Sequence, residues 1–474
     1  NELAGLTSAL GKPAREVCDL TKAAVVVAVE RDFHSPQEPM GVAYSRQWAN
    51  RRRVMRAGDE MGRLYAIESS YSTTGGSADH RLRVRPSQAG AFLVALASAL
   101  LEGLADQRAA VISAALRRVA ASNAADAEAT KFAKAVADDL LANSKAGKPT
   151  VVMAGASLPS WAHALVCAIN SVLGNVGKTV SYLELKGDLA TSGTAALAAL
   201  CAQLDRGEID TVVTLNTNPC FNAPADLGFA AKFLRAPHRI TLAYELCETA
   251  LASTWRLNST HELESWGDTI SDDGTIAPIQ PMIAPLFFGR SELEVLGMIA
   301  GVKNAIGYDL TREAWRKRLG EVGFDKAWNR ALHDGVLATP GPKPTAMSVA
   351  MDKVAEAVAQ AGGLGAGDPS KMEIRFATWY VGDGRFTNHP WLHELPEPAS
   401  KIVWDNAALI SPATAKKLGA QQTADTDKFP QARMISVSVN GATVQIPAWA
   451  TPGVADDTLI LPMGYGRRSV GVVG

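Results

Sequence analysis

Apolar residues in the N-terminal part of the chain fall into short unbroken runs. The run from Lys22 to Val29 reads KAAVVVAV, and the run from Leu64 to Glu68 reads LYAIE. A continuous run rich in β-branched residues is typical of a strand that is buried on both faces, as in the parallel sheets of α/β proteins. We therefore expect a parallel sheet with covered faces in this part of the chain.

Strand and helix patterns alternate regularly from residue 148 onwards. The predicted strands are Thr150–Ala154, Thr179–Leu185, Thr211–Leu215 and Arg239–Tyr244. Apolar strands that alternate with glycine-terminated helices indicate a doubly wound parallel sheet. In such sheets, ligands bind beyond the carboxyl ends of the strands.

The pattern changes class near the C-terminus. Glu373–Tyr380 and Thr458–Leu461 predict strands, and Asn440-Gly441 between two alternating runs predicts a β-hairpin. The expected fold class is α/β, with two Rossmann-like doubly wound units and a small C-terminal β domain that is barrel-like. We expect the first unit at residues 1–147, the second, with long loops, at 148–370, and the β domain at 371–474.

Composition narrows the function classes. The 474 residues carry a formal net charge of −1, with 47% hydrophobic and 20% charged residues. A nearly neutral chain offers no basic field for nucleic acid, and no apolar run approaches the roughly 18 residues that a spanning helix needs. The five cysteines include no CxxC pair, which argues against zinc or iron–sulfur ligation by this chain.

Two predicted loops at strand ends collect polar residues. Asn216 and Asn218 follow one strand, and a long stretch from Leu257 to Arg290 contains His261, Glu264 and Asp268 followed by several prolines. Long connections of this kind usually form a site or an interface, although a solvated surface loop is the other interpretation. No G-x-G-x-x-G follows a strand and no GxxxxGK[ST] occurs, so a simple dinucleotide-dependent dehydrogenase is not supported.

Several blocks resemble the molybdopterin oxidoreductase superfamily. Asn218-Pro219, ETALAST at 248–254 and HELESWGD at 261–268 resemble its second nucleotide-binding unit, and GSADHRLRVRPSQ at 76–88 resembles its first. The longer blocks are most similar to the molybdopterin-like part of the iron–sulfur subunit of bacterial alternative complex III. They are YVGDGRFTNHPWLHELPEPASKIVWDNAALISPATAKKLG (380–419), IQPMIAPLFFGRSELEVL (279–296) and IPAWATPGVADDTLILPMGYGR (446–467).

This resemblance implies a non-catalytic scaffold in a membrane-associated quinol:electron-acceptor oxidoreductase of a respiratory or photosynthetic electron-transport chain. It implies no cofactor in this chain, and iron–sulfur clusters and haem c in its partners. Those partners are a ferredoxin-like iron–sulfur half or subunit, a multihaem cytochrome c subunit and integral membrane quinol-binding subunits. The complex would hold the chain on the periplasmic side of the bacterial cytoplasmic membrane. The ferredoxin-like half should begin after Gly474, so we expect the chain to be a fragment or that half to be encoded separately.

The alternative is a catalytic molybdenum or tungsten bis-pterin oxidoreductase subunit whose N-terminal cluster domain is missing. Under both interpretations the candidate residues of the pterin cleft, vestigial in a scaffold, are Asn216, Asn218, His261, Glu264 and Asp268. We expect them to hydrogen-bond within the fold rather than to bind a cofactor. We predict no catalytic residue and no metal ligand.

Overall fold

The computed structural model describes residues 1–102, 107–122, 125–186, 193–337, 343–361, 371–422 and 431–473. The chain forms two compact units, each assembled from segments that are distant in sequence. Unit 1 comprises Asn1–Lys186, Pro344–Tyr380 and Glu394–Met463. Unit 2 comprises Gly187–Lys343, Val381–His393 and Gly464–Gly474.

The described residues contain the following strands and helices. The strands are β1 (Ala14–Cys18), β2 (Val25–Val29), β3 (Arg63–Glu68), β4 (His80–Arg83), β5 (Thr150–Ala154), β6 (Val180–Glu184), β7 (Thr211–Leu215), β8 (His238–Ala243), β9 (Trp255–Asn258), β10 (Gly267–Ile270), β11 (Ile276–Ile279), β12 (Glu373–Ala377), β13 (Ala408–Ile410), β14 (Arg433–Val439), β15 (Ala442–Ala450) and β16 (Thr458–Pro462). The helices are α1 (Glu2–Leu10), α2 (Gly41–Arg51), α3 (Thr73–Gly76), α4 (Pro86–Glu102), α5 (Gln107–Ser122), α6 (Ala127–Lys145), α7 (Ser160–Val172), α8 (Thr194–Asp205), α9 (Pro219–Asn222), α10 (Phe229–Phe233), α11 (Glu248–Leu251), α12 (Glu292–Ile299), α13 (Gly307–Leu319), α14 (Phe324–Asp334), α15 (Met351–Ala359), α16 (Pro390–Glu394) and α17 (Pro412–Lys417). None of these helices is both long enough and apolar enough to cross a membrane.

The main sheet of unit 1 has four parallel strands in the order β4-β3-β2-β5. All five residues of β2 are buried, and so are all five of β5. Their unbroken apolar sequences, VVVAV and TVVMA, suit strands that are covered on both faces. The parallel sheet expected from these runs is therefore confirmed.

Two asparagines close the outer edge of β5. The side-chain amide of Asn170 accepts from the Val152 N–H at 3.1 Å and donates to the Val152 carbonyl at 2.8 Å, as a neighbouring strand would. The Oδ1 of Asn175 accepts from the backbone N–H and the hydroxyl of Thr150, both at 3.1 Å. Because a buried backbone group without a partner is costly, these side chains replace a fifth strand.

The strand β6 corrects one expectation. The sequence predicts that it continues the parallel series, but it pairs antiparallel with β1 in a separate two-stranded sheet. The side chains of Asn170 and Asn175 already occupy the backbone groups of β5 where another strand would pair. The alternation of strands and helices is real, but the strands belong to different sheets.

The C-terminal part of unit 1 is a five-stranded mixed sheet in the order β12-β16-β13-β15-β14. The predicted hairpin joins β14 to β15. Asn440 and Gly441 both have positive φ, 47° and 84°, which is the conformation that a tight two-residue hairpin turn requires. The expectation of a β-rich C-terminal segment is confirmed.

Unit 2 contains a three-stranded parallel sheet, β7-β8-β9, and a two-stranded antiparallel sheet, β10-β11. The strands β10 and β11 contact the helices α13 and α14. Trp315 and Trp328 are fully buried there, with their ring centroids 5.2 Å apart. Unit 2 therefore has an aromatic core of its own.

The compact units differ from the sequence segments predicted at 1–147, 148–370 and 371–474. The strand β5 lies beside β2 rather than in a second unit, and unit 2 takes in residues from the C-terminal segment. Hydrophobic periodicity locates strands but does not say which strands pair, and this is why the predicted boundaries differ.

We predict that Asn170→Leu destabilises the protein. Leucine has a similar size but leaves the Val152 N–H and carbonyl without partners in a buried place, which costs about 2–4 kcal/mol of unfolding free energy. Urea unfolding followed by circular dichroism measures the change. The matched control is Asn50→Leu on the exposed end of α2, where we expect a change within about 0.5 kcal/mol. Equal losses in the two variants would contradict the bracing role of Asn170.

Candidate functional site

The carboxyl end of the three-stranded sheet of unit 2 holds two of the residues predicted from the sequence. Asn216 directly follows β7 with a φ of 45°, and its N–H donates to the Leu242 carbonyl at 2.9 Å. Its Oδ1 is buried and accepts no hydrogen bond from the described residues. Asn218 precedes the short helix α9 in the same loop.

Asn218 is fully engaged with residues of the same unit. Its Oδ1 accepts from the backbone N–H and the hydroxyl of Thr249 at 3.0 and 2.8 Å, and its Nδ2 donates to Glu248 at 2.7 Å. The loop after β7 is thereby tied to the first turn of α11, which follows β8. These bonds leave Asn218 little capacity to bind a ligand.

Glu248 joins these loops to residues near position 468. Its carboxylate accepts from the backbone N–H groups of Arg468 and Ser469 at 3.0 and 3.2 Å, and from the Arg467 guanidinium at 3.2 Å. Burial alone would raise the pKa of Glu248, but the hydrogen bonds from Asn218 and from backbone N–H groups outweigh it and lower the pKa to about 2. Glu248 is therefore an ionised structural anchor.

The segments 381–393 and 464–473 of this chain cover the same sheet end. The Asn388 side chain donates to Glu245, in the loop after β8, at 2.6 Å, and the Ser469 hydroxyl donates to the Leu246 carbonyl at 2.6 Å. Asn222, in the loop after β7, donates to Asp383 at 2.8 Å. Ligands usually bind at this end of an open α/β sheet. Here segments of the same chain cover it.

The long stretch 257–290 is held by local hydrogen bonds. The Nδ1 of His261 accepts from the Leu263 N–H, and Glu264 accepts from the His261 N–H, so the two residues cap one turn of 3-10 helix reciprocally. The carbonyl of Leu263 accepts from the Met282 N–H at 2.7 Å and folds the stretch back on itself. His261 and Glu264 thus shape the loop.

Asp268 has a separate role. Its carboxylate accepts from the indole N–H of Trp315 at 3.0 Å, at the edge of the aromatic core of unit 2. The structure joins His261 to Glu264, and it places Asn216 and Asn218 in one loop. It shows no direct hydrogen bond between the asparagine pair, the His261–Glu264 pair and Asp268. That these residues form one pterin cleft therefore stays a prediction.

Unit 1, unlike the covered sheet end of unit 2, has an open cleft at the carboxyl ends of β2, β3 and β5. It has a volume of about 440 Å³. Chain order runs from β2 to β3 and β4 on one side of the sheet and to β5 on the other, so this is the point where the strand order reverses. The loop after β12 also contributes to its lining, which includes Tyr71, Arg375, Trp379, Tyr380 and Glu397.

Charged pairs form the floor of this cleft. Glu30, directly after β2, has a side chain that is 2% exposed and lies 3.1 Å from the Arg375 guanidinium. Glu68, at the end of β3, accepts from Arg81 at 2.6 Å. Burial raises the pKa of Glu68, and Arg81 offsets this rise only in part.

Glu30, Glu68 and Arg375 are not among the site residues predicted from the sequence. The signal that could have found the two glutamates is a carboxylate directly after the apolar strand β2 and another at the end of the largely apolar strand β3. In a parallel sheet those positions meet at one edge. Within the described residues, no group of three His, Cys, Asp or Glu side chains has a geometry that could hold a metal ion.

Comparison with known proteins shows the fold. No protein-family model matches the chain, and no curated protein matches it. Among solved structures, acetylene hydratase from Pelobacter acetylenicus matches with a TM-score of 0.68 and 12% identity, over 100% of this chain and 76% of that chain. The chain therefore has the molybdopterin oxidoreductase-like fold, and at this identity the similarity shows the fold alone.

We predict that Glu248→Gln weakens the fold in a pH-dependent way. The pKa of Glu248 is lowered on folding, so the charge stabilises the protein above pH 4.5, and this contribution is lost as the pH falls from about 4.5 towards 2. We expect the variant to lose about 1–3 kcal/mol of unfolding free energy at pH 7. The difference from the parent protein should shrink steadily below pH 4.5.

The control for this prediction is Glu262→Gln, which neutralises an exposed carboxylate of the same unit. Its effect should be small at every pH. Hydrogen exchange gives a second readout, because amides in residues 464–473 should exchange faster in Glu248→Gln only. A pH-independent loss, or unchanged exchange in that segment, would rule out the anchor.

Proposed function

We propose that this chain is a non-catalytic, molybdopterin oxidoreductase-like scaffold in a quinol:electron-acceptor oxidoreductase that resembles alternative complex III. In this proposal the chain carries no cofactor. Iron–sulfur clusters and haem c belong to a ferredoxin-like half or subunit and to a multihaem cytochrome c subunit. The complex, including its integral membrane quinol-binding subunits, holds the chain on the periplasmic side of the bacterial cytoplasmic membrane.

The observation that carries the proposal is the covered sheet end of unit 2. Asn218, a predicted residue of the pterin cleft, accepts from Thr249, and the neighbouring Glu248 accepts from the backbone of Arg468 and Ser469. A cofactor at this place would have to displace those contacts. A charged carboxylate that loses its donors in a partly buried place is expensive.

The cleft of unit 1 fits a pterin dinucleotide poorly. The pyrophosphate of such a cofactor is anionic, and nucleotide sites in α/β folds supply backbone N–H groups and positive charge. Among the described residues that line this cleft there are five carboxylates and two guanidiniums. The side chains present therefore disfavour that group, and we derive no chemical step through it.

An exposed apolar surface on unit 2 supports a role in assembly. Phe288 is 98% exposed and Met282 is 77% exposed, and Leu286 and Phe287 lie between them with most of their side chains also in solvent. Contiguous exposed apolar side chains usually mark a contact with another protein. The stretch 282–288 is therefore the place where we expect a partner subunit to bind.

The rival function is a molybdenum or tungsten bis-pterin enzyme. The observation in its favour is the buried Oδ1 of Asn216, which lacks a partner among the described residues at a sheet end. A single buried amide oxygen supports a cofactor site less than the hydrogen bonds of Asn218 and Glu248 support a covered sheet end. We therefore prefer the scaffold.

The first test is elemental and pterin analysis of the protein purified from its native source. We expect substoichiometric molybdenum and tungsten, no released pterin, and iron and haem in the fractions that contain the intact complex. A pterin-containing oxidoreductase processed in parallel controls for cofactor loss. Stoichiometric molybdenum or tungsten together with pterin would contradict the proposal and favour the rival function.

The second test concerns the exposed surface. We predict that Phe287→Ser combined with Phe288→Ser lowers the yield of co-purified partner subunits about tenfold or more, because such anchors contribute about 1.4 kcal/mol or more to binding. Thermal stability should change little, since both rings are largely in solvent. The control is Val322→Ser, at a fully exposed position of unit 2 outside this stretch. Undiminished co-purification of partners with the double variant would contradict this assignment.

A further inference from the structure

The cleft of unit 1 has the size and position of a ligand site. Its volume of about 440 Å³ lies within the range of about 300–1,000 Å³ that is common for small-molecule sites. It lies where the strand order of the sheet reverses, which is the usual binding position in open parallel sheets. A neighbouring cavity of about 400 Å³ shares Glu30, Arg375 and Phe376 with it, so the space continues beside the Glu30–Arg375 pair.

Three carboxylates of the lining retain acceptor capacity. The Oδ1 of Asp32 accepts from Thr74, one oxygen of Glu38 is paired with Arg31, and one oxygen of Glu397 accepts from backbone N–H groups. No described residue donates to the other oxygen of Asp32, Glu38 or Glu397. Each of them can therefore accept a hydrogen bond from a ligand without losing its present partners.

Glu30 adds a buried carboxylate that is paired with Arg375. Its Oε1 accepts from the Ser69 N–H at 2.8 Å, whereas its Oε2 is buried and accepts no hydrogen bond of good geometry from the described residues. The Nη2 of Arg375 forms an ion pair with that oxygen at 3.1 Å, while its Nη1 donates to the Ser70 hydroxyl at 2.5 Å. Glu30 also has a φ of 54°, a strained conformation for a residue with a side chain, and such strain is concentrated at binding sites.

Aromatic side chains complete the lining. Tyr71, Phe376, Trp379 and Tyr380 all border the cleft. Aromatic faces attract cations, and one ring already does so within the chain, because the Arg81 guanidinium lies 5.1 Å from the centroid of Tyr71. Burial raises the pKa of Tyr380, and the negative charges of Glu397 and Asp32 raise it further, so both carboxylates act on this part of the cleft.

From this combination we infer that the cleft of unit 1 binds a small organic cation, an ammonium or guanidinium on a short aliphatic stem. The carboxylates of Asp32, Glu38 and Glu397 receive the charged group, and the aromatic rings receive the stem. The same residues exclude nucleotides and other anions. This site is additional to the proposed scaffold role and does not depend on it.

Ligand binding to the purified chain tests the inference directly. The probe is 1-butylguanidinium, and the matched neutral compound is butylurea, which has the same shape without the charge. Guanosine diphosphate is the anionic probe. Calorimetry, or NMR titration if binding is weak, should show butylguanidinium binding at least tenfold more tightly than butylurea, with no binding of guanosine diphosphate.

Two variants locate the site. Asp32→Asn and Glu397→Gln each remove one charge but keep an oxygen that can accept the present hydrogen bonds, so both should fold. Each should weaken butylguanidinium binding about tenfold, the effect of losing about 1.4 kcal/mol of interaction. The control is Asp59→Asn, an exposed position of unit 1 that does not line the cleft, where affinity should be unchanged.

Three results would overturn the inference: equal binding of butylguanidinium and butylurea, equal binding to the parent protein and both cleft variants, or tighter binding of guanosine diphosphate. The outcome is separate from the test of the scaffold. A protein that contains metal and pterin would contradict the scaffold whatever the titration gives. A protein free of them that also ignores butylguanidinium would contradict only the cation site.

Discussion

The close approach of Gly155 to Glu30 determines how the loops of unit 1 are arranged. A Cβ at position 155 would come within 1.8 Å of the Glu30 carbonyl oxygen, so only glycine fits there. Two backbone hydrogen bonds extend the strand ladders at this point, from the Gly155 N–H to Val29 and from the Glu30 N–H to Ile67. They fix the ends of β2, β3 and β5 relative to one another. The cleft lies beyond these strand ends, and Gly155 and Glu30 both line it.

The two sheet ends are occupied in different ways. In unit 2 the chain covers its own sheet end and uses Glu248 as an anchor for Arg468 and Ser469. In unit 1 the sheet end stays open as a cleft, but carboxylates outnumber guanidiniums in its described lining. A sheet end that binds a nucleotide supplies hydrogen-bond donors for the phosphate groups. One sheet end is therefore covered by side chains and backbone of its own unit, and the other opens onto a lining with more carboxylates than guanidiniums.

Local sequence patterns predicted most of the strands because a short apolar run marks a strand that is buried on both faces, as β2 and β5 are, and also one that is buried only in part, as β7 and β8 are. The runs of β2, β3, β5, β7 and β8 were all located within a few residues. Pairing was harder, because nothing in the composition of β6 distinguishes an antiparallel partner of β1 from a further parallel strand. What excludes it from the main sheet is a pair of asparagine side chains, Asn170 and Asn175, and their role depends on a geometry that sequence spacing does not contain.

The site was predicted only in part, for a similar reason. Asn218 and His261 stand out in the sequence as polar residues in long loops, and the structure shows that Thr249 and Leu263 engage them. Glu30 attracts little attention in the sequence, because one glutamate after a strand is common. Its significance depends on Arg375, which is more than 300 residues away in the chain and reaches it only through the fold. Long-range pairing of charges is what single-sequence reasoning could not supply.

The side chains of Asn170 and Asn175 on the edge of β5 also affect the tendency to aggregate. An edge strand with free N–H and carbonyl groups is a template on which another chain can add a strand. The sequence of β5, TVVMA, is apolar and rich in β-branched residues, which is the type of segment that assembles in this way. With Thr150 and Val152 already bonded to Asn175 and Asn170, the template is closed. The two side chains therefore end the sheet at β5 and leave no free backbone groups at Thr150 and Val152 for another chain to pair with.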